Sequence, residues 1–158
     1  MERMRYVVVC AWLLAGCKEG TAPVIAPVPS EILSAPEEIV VRGVTVRLDT
    51  YLWRDFQPVS PPDGKPLIAV LRLKSTDGKA IPSGLRVGSV WVVNGDSAWM
   101  AEARQEHPPA DSAEIEFVAR EGPKWGPGIT VDVVIRVRDA TGDPRLLRAT
   151  AQPIYRTD

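Results

Sequence analysis

Cys17 is the residue whose surroundings most clearly indicate a chemical event. It follows an apolar run from Tyr6 to Leu14, and Arg3 and Arg5 precede that run. A positive flank, a short hydrophobic segment and then small residues are typical of a secretory signal peptide. A membrane-spanning helix needs about 18 consecutive apolar residues, and this run has roughly half that length. We therefore predict an exported protein whose signal peptide is residues 1–16.

The sequence Leu14-Ala15-Gly16-Cys17 resembles the lipobox of bacterial lipoproteins at all four positions. By this resemblance Cys17 becomes the first mature residue and carries a thioether-linked diacylglycerol. Two or three acyl chains hold a protein stably on a bilayer, whereas one holds it only marginally. We expect attachment to the cell membrane or the outer membrane, facing the periplasm or the cell exterior. The alternative is an ordinary cleaved signal with an incidental cysteine.

The charge and the cysteine content of the chain limit which partners and which cross-links we expect for the rest of it. Nineteen basic and 20 acidic residues give a formal net charge of −1. Nucleic-acid-binding proteins usually carry a basic patch, so no nucleic-acid partner is expected. Cys10 lies in the signal and Cys17 is the lipid site, so no disulfide is available to the mature domain. About 120 residues are enough for a domain that relies on its core alone.

Residues 17–36 contain prolines at positions 23, 27, 29 and 36. Proline at this density favours extended backbone over a packed helix. We predict a lipidated, proline-rich tether, with a reach on the order of tens of ångströms when extended. The alternative is that the segment from Val28 to Leu33 docks on the domain.

Beyond Pro36 apolar residues alternate with polar ones, which predicts half-buried strands. Turn sequences such as Asp77-Gly78 and Asn94-Gly95 separate them. No helical pattern interrupts the series. We predict for residues 37–158 an all-β, two-sheet antiparallel sandwich that resembles the immunoglobulin-like and fibronectin type III group in strand number and spacing, with a small closed barrel as the alternative. The predicted strands are Glu38–Val41, Val44–Trp53, Leu67–Lys74, Arg86–Val93, Ser97–Ala103, Ala113–Arg120, Thr130–Arg138 and Arg145–Gln152.

The clearest predicted hairpin joins residues 90–93 to residues 97–100 around Asn94-Gly95. A two-residue loop would place Trp99 opposite Val90, and a three-residue loop would place it opposite Trp91. We favour the second arrangement, because a cross-strand tryptophan pair packs well.

Few residues suggest catalysis or metal binding. His107 is the only histidine and lies in a loop without a serine or cysteine nucleophile arranged around it. It also lacks the His and Cys partners of zinc and copper sites. The nearby acidic residues, which are Glu102, Glu106, Asp111, Glu114 and Glu116, do not have the spacing of a calcium loop. We expect no enzyme activity, no cofactor and no metal; a metal-handling role for His107 is the least favoured alternative.

Aromatic residues are the remaining candidates for binding. Trp125 lies in a glycine- and proline-rich loop, where it is either a lid on the core or an exposed recognition residue. Tyr51 and Trp53 share the outward face of one strand, where they either form a stacking platform for a sugar or peptide or, as we favour, pack against the loop from Arg54 to Pro66. The leading hypothesis is a lipid-anchored module of the cell envelope that binds a protein partner through loops or a sheet edge, the final strand up to Pro153 being the candidate edge. The alternative is a carbohydrate-binding module that uses Trp125, Tyr51 and Trp53.

Overall fold

The computed structural model describes residues 22–106 and 112–158, and these residues form an all-β domain. They contain nine strands and one four-residue helix. In chain order these are β1 (Val24–Pro27), α1 (Ser30–Leu33), β2 (Glu38–Val41), β3 (Val44–Asp55), β4 (Leu67–Ser75), β5 (Arg86–Asn94), β6 (Ser97–Glu102), β7 (Glu114–Gly122), β8 (Thr130–Arg138) and β9 (Arg145–Thr157).

Each of the eight strands predicted from the sequence is present, because alternation marks the side chains that face the core. In β4, Leu67, Ala69, Leu71 and Leu73 are fully buried, whereas the residues between them are half-buried. β9 is the strand whose predicted bounds differ most, since it continues past Pro153 to Thr157.

The strands form one curled, mixed sheet, a half-barrel rather than the predicted two-sheet sandwich. Its order is β1-β6-β5-β8-β9-β3-β4-β7, and β2 pairs with β3. β9 makes the sheet continuous, because it pairs antiparallel with β8 as far as Pro153 and parallel with β3 from Ile154 onward. It bends at Ala151, where φ is 52° and Asp132 Oδ1 accepts a hydrogen bond from the backbone N–H at 2.7 Å.

The curl brings the inner faces of both ends of the sheet around one core. We call β1, β6, β5 and β8 the β5 half, and β2, β3, β4, β7 and the end of β9 that pairs with β3 (residues 154–157) the β4 half. Both contribute to the same cluster of buried residues, for example Val92 and Ile135 from the first and Leu52 and Phe117 from the second. Trp99 of β6 lies so close to β7 that a Cβ at Gly122 would be 2.8 Å from its ring. Close packing therefore joins strands at opposite ends of the hydrogen-bonded order.

The segment predicted as a tether is packed on the domain from Val24 onward, so the expectation of an extended tether up to Pro36 is wrong for this part. β1 pairs antiparallel with β6, from Val24 opposite Met100 to Pro27 opposite Ser97. Ile32 of α1 is fully buried on the outer face of the β5 half, in a second cluster with Trp91, Val93, Ala98 and Val134. This is the docked alternative, and proline content alone could not distinguish it from a free tether.

Neither predicted register of the β5–β6 hairpin is correct. Asn94 remains in the strand opposite Ser97, so the turn consists of Gly95 and Asp96, and Gly95 supplies the positive φ of 58°. Trp99 is therefore opposite Val92 and faces the core. Trp91 is opposite Met100 on the outer face, with the guanidinium of Arg136 5.1 Å from its ring centroid.

Candidate functional site

The most prominent exposed aromatic group lies on the outer face of the β4 half. Tyr51 of β3 and Tyr155 of β9 are 37 % and 46 % exposed, and their rings stack with centroids 5.2 Å apart and planes inclined by 22°. Trp53, which is half-buried, is paired with Tyr155 in the parallel register of β3 and β9. We call Tyr51, Trp53 and Tyr155 the aromatic surface.

The sequence predicted two of these three residues. Tyr51 and Trp53 lie on one face of β3 by alternation, and the structure places both on the outer face. Tyr155 is not among the predicted residues, because the last predicted strand ends at Gln152, whereas β9 continues to Thr157. The local signal is out of phase there, since Ile154 is buried five residues after the buried Ala149, and an uninterrupted alternation would place these two side chains on opposite faces.

Trp125 is not part of the aromatic surface. It is half-buried and packs against the main core cluster. That cluster includes Leu52, whose side chain is on the opposite face of β3 from Tyr51 and Trp53. The position of Trp125 is the one that a lid on the core would occupy.

Arg54 is a buried residue of β3 that holds the loops beside this site by hydrogen bonds. Its side chain is only 3 % exposed. The guanidinium donates hydrogen bonds to Lys65 O at 2.9 Å, Lys124 O at 3.0 Å and Gly126 O at 2.7 Å, and a fourth to the carbonyl of Asp63. Burial lowers the pKa of Arg54, and the nearby charge of Asp63 opposes that shift.

These hydrogen bonds join two loops that are distant in sequence. One loop follows β3 and contains Asp63 and Lys65, and the other precedes β8 and contains Trp125. Lys124 Nζ and Asp63 Oδ2, 2.6 Å apart, add an ion pair between the same loops on the exposed side. The Trp125 loop is thus held by β3, the strand that also carries the aromatic surface.

Asp55 and Phe56 complete this end of β3. Asp55 accepts hydrogen bonds from Lys65 Nζ at 2.7 Å and from the Gln57 backbone N–H at 2.9 Å. These bonds, led by that of Lys65, lower the pKa of Asp55. Two guanidinium groups lie over the Phe56 ring, that of Arg156 at 4.1 Å and that of Arg54 at 5.0 Å from its centroid.

Of the nearby acidic residues that the structure describes, Glu106, Glu114 and Glu116 form local ion pairs, and Glu102 accepts a hydrogen bond from Ser89 Oγ at 3.1 Å. Glu106 forms a bidentate pair with Arg120, with its shortest distance 2.8 Å, and Glu116 lies 3.0 Å from Arg72. Among residues 22–106 and 112–158, no group of three or more His, Cys, Asp or Glu side chains is placed to hold a metal ion. His107 and Asp111 lie outside the described residues.

The strand proposed as the edge for partner binding, β9, lies within the hydrogen-bonded order and not at its end. It pairs with β8 as far as Pro153 and with β3 from Ile154 onward, and the backbone N–H of Arg148 also donates to Pro36 O at 2.8 Å. β1 and β7 end the hydrogen-bonded order. β7 is bridged at Val118 by Arg104, with N···O distances of 2.8 and 3.0 Å, and β1 is a four-residue strand flanked by Pro23 and ending at Pro27. Proline and short length both oppose the addition of a further strand.

The proposed lipid site, Cys17, lies outside the described residues. Within the part of the chain that the structure describes, no helix is long and apolar enough to cross a membrane. Comparison with protein-family models, with curated proteins and with solved structures finds no match to this chain.

Proposed function

We propose that this chain is a lipid-anchored, non-catalytic binding module of the cell envelope that recognises a protein partner through its aromatic surface. The anchor rests on the lipobox resemblance of Leu14-Ala15-Gly16-Cys17. The binding function rests on one observation, the exposed Tyr51–Tyr155 stack beside Trp53.

The composition of the aromatic surface supports a protein partner. Tyrosine, tryptophan and arginine are enriched where protein interfaces concentrate their binding energy. The aromatic surface has arginine nearby, since Arg72 lies two residues along β4 from the partner of Tyr51, and Arg156 follows Tyr155. Its aromatic side chains are carried by paired strands, and a surface on a rigid sheet loses little freedom on binding.

The position of the surface adds to this argument. The acidic and basic residues around it balance locally, for example Asp49 with Lys74 at 2.7 Å. Such pairs form a polar rim, which is the usual surrounding of an apolar interface centre. A partner that covers the tyrosines would leave these charges in water.

A carbohydrate ligand is the second candidate, and the exposed tyrosines favour it too. Sugar rings stack on the faces of aromatic side chains. Here Tyr51 and Tyr155 stack on each other, so at most one face of each ring is open to a sugar. This is a smaller platform than three coplanar rings, and Trp125 lies apart from it, so the protein partner is the leading proposal.

A photo-crosslinking experiment in intact cells tests the binding function. A photoreactive amino acid replaces Arg72, next to the aromatic surface, and Val59, which is 87 % exposed in the loop after β3, is the control position. We expect a discrete protein adduct from position 72 that is lost when Tyr51→Ala and Tyr155→Ala are added. Equal adducts at both positions, or adducts that survive loss of the tyrosines, would refute the assignment.

Two further measurements separate the remaining alternatives. Polysaccharide binding that changes tryptophan fluorescence and disappears with Tyr155→Ala would replace the protein partner by a carbohydrate. Mass spectrometry of the mature N-terminus tests the anchor, for which we expect an acylated Cys17. An unmodified N-terminus would refute the anchor without affecting the binding surface.

A further inference from the structure

We propose that the domain lies directly on its bilayer, with the edge formed by β1 and the Met100 end of β6 in contact with lipid headgroups. This inference rests on the proposed acylation of Cys17 and adds an orientation to it. We call Val24, Ile25 and Met100 the apolar edge.

Chain length limits how far the domain can be from the anchor. β1 begins at Val24, seven residues after Cys17. A fully extended chain spans about 3.3–3.6 Å per residue, so these residues reach at most about 25 Å. A domain of this size has a diameter of roughly 35 Å. Because the connection is shorter than the domain is wide, the part of the domain that faces the bilayer is the part where the chain enters.

The chain enters at the apolar edge. Val24, the first residue of β1, is opposite Met100, and both are exposed. Ile25 follows on the other face of the same strand and is also exposed. β1 is the last strand of the sheet order, so no further strand among the described residues covers its outer side. Three large apolar side chains are thus exposed at the point nearest the proposed lipid.

The charge pattern of this segment fits the same surface. Residues 22–28, Ala-Pro-Val-Ile-Ala-Pro-Val, contain no charged side chain. Approach to headgroups therefore requires no charge of this segment to lose its hydration. Elsewhere the exposed side chains of the strands include many ion pairs, such as those of Arg72 and Lys74.

The contact is interfacial and not a membrane insertion. Within the part of the chain that the structure describes, the outer side of β1 has backbone groups without a neighbouring strand, and such groups need water or headgroups as partners. The apolar edge also needs little affinity of its own for lipid. An anchor that already holds the domain at the surface makes the second contact intramolecular, so a weak interaction is well populated.

The test uses the full acylated chain in vesicles of phosphatidylethanolamine and phosphatidylglycerol. Acylation blocks Cys17 and signal removal takes away Cys10, so an introduced cysteine is the only free thiol. A polarity-sensitive fluorophore is attached at Met100→Cys or, as the control, at Val59→Cys in the loop after β3. We expect a blue-shifted emission at position 100 and at least threefold stronger quenching there by headgroup spin-labelled lipid.

Matched variants tie this signal to the apolar edge. Val24→Asp should return the emission at position 100 to that in water, and Val40→Asp should leave it unchanged. Val24 and Val40 are the same residue type, both on strands and 53 % and 57 % exposed. Ile25→Asp is a second variant with the same expected effect, and thermal unfolding confirms that each variant is folded.

The outcomes distinguish this inference from the proposed function. With an acylated Cys17, equal quenching at positions 100 and 59 overturns the orientation and leaves the anchor intact. A shift at position 100 that requires native membrane proteins and is absent from pure lipid also overturns it, and assigns the edge to a protein partner. An N-terminus without acyl chains overturns both this orientation and the proposed anchor, and leaves the binding role of the aromatic surface standing.

Discussion

Both halves of the sheet carry aromatic side chains on their outer faces, but they differ in whether another part of the chain covers that face. On the β5 half, Trp91 and its apolar neighbours are covered by Ile32 of α1, a residue of the chain's own N-terminal segment. On the β4 half, Tyr51 and Tyr155 stack on each other and remain 37 % and 46 % exposed. One domain therefore shows both an apolar sheet face that is covered internally and an aromatic one that is left open.

The difference shows that strand patterning does not decide which outer face is covered. Both halves alternate in the same manner along the chain. What distinguishes them is a segment remote in sequence that crosses only one of them, anchored by β1 on β6 and by the backbone N–H of Arg148, which donates to Pro36 O at 2.8 Å. The uncovered face of the β4 half is the one available to another molecule.

The largest expected loss of stability is for a substitution of Arg54, the buried residue that holds the loops beside the aromatic surface. Arg54→Met removes the guanidinium and leaves four carbonyls without their donor in a buried region. An unsatisfied buried polar group costs about 1–3 kcal/mol. We expect the free energy of unfolding to fall by about 4 kcal/mol, measured by chemical denaturation.

Arg47→Met is the control for this change. Arg47 is on the same strand, but it is exposed and its ion pair with Glu38, 3.3 Å away, lies on the surface. An exposed pair contributes about 0–1 kcal/mol. If the two variants lost equal free energies of unfolding, Arg54 would not be what holds the β4 half in place.

The second prediction concerns the covered face. Ile32→Ala removes a fully buried side chain from the cluster with Trp91 and Val134. Buried isoleucine to alanine costs about 2–5 kcal/mol, and a short surface segment can partly collapse, so we expect about 3 kcal/mol. The same chemical denaturation measures it.

Leu33→Ala provides the comparison next in sequence, because Leu33 is exposed. It should change the free energy of unfolding by about 0.5 kcal/mol or less. A negligible effect of Ile32→Ala would mean that the N-terminal segment does not cover this face in solution, and the contrast between the two halves would disappear.

Sequence reasoning found the strands but not their arrangement. Alternation is a local property, so Leu67 to Leu73 mark β4 without any tertiary information. The docking of Val24 to Pro27 depends on the open side of β6, which is about 70 residues away. Proline occurs in a free tether and in an edge strand alike, so residues 17–36 could not be divided by composition.

Part of the candidate site could be predicted because alternation along a strand is a local property. Tyr51 and Trp53 follow from the alternation of β3. Tyr155 joins them because β9 bends at Ala151 and changes its neighbour from β8 to β3. The role of Arg54 depends on four carbonyls from two loops, and no local pattern places them around one side chain.

A smaller loss of stability is expected for substitutions in the exposed stack of Tyr51 and Tyr155. Tyr51→Ala and Tyr155→Ala each remove an exposed ring and the stacking contact. Stacked aromatic pairs contribute about 0.5–1.5 kcal/mol beyond their buried area. A double-mutant cycle should give a coupling of about 1 kcal/mol or less at these exposed positions.

Trp53 is a useful second partner for this cycle. Tyr51 and Tyr155 stack on each other, whereas no ring contact is found between Tyr51 and Trp53 among the described residues. The coupling between Tyr51 and Tyr155 should therefore exceed that between Tyr51 and Trp53. Equal couplings would show that the tyrosine stack is not a distinct contact in solution.

The smallest expected effect is the acid dependence contributed by Asp55. Lys65 and the Gln57 backbone N–H hold the pKa of this carboxyl below its ordinary value of 3.8. A lowered native pKa stabilises the folded state above the ordinary value, and this contribution is lost as the pH falls through the native pKa. Asp55→Asn should therefore be less stable than the natural protein at neutral pH, and the gap should narrow below about pH 4.

Lys65→Met tests the cause of that pH dependence from the other side of the bond. It removes the ammonium 2.7 Å from Asp55 Oδ2, which is the largest cause of the lowered pKa. The acid-range slope of stability should then approach that of Asp55→Asn, because the remaining Gln57 bond lowers the pKa less. Stability curves of the natural protein and Asp55→Asn that stay parallel down to pH 2 would contradict the assignment. In that case the ordered end of β3 beside the aromatic surface would depend on Arg54 and not on this ion pair.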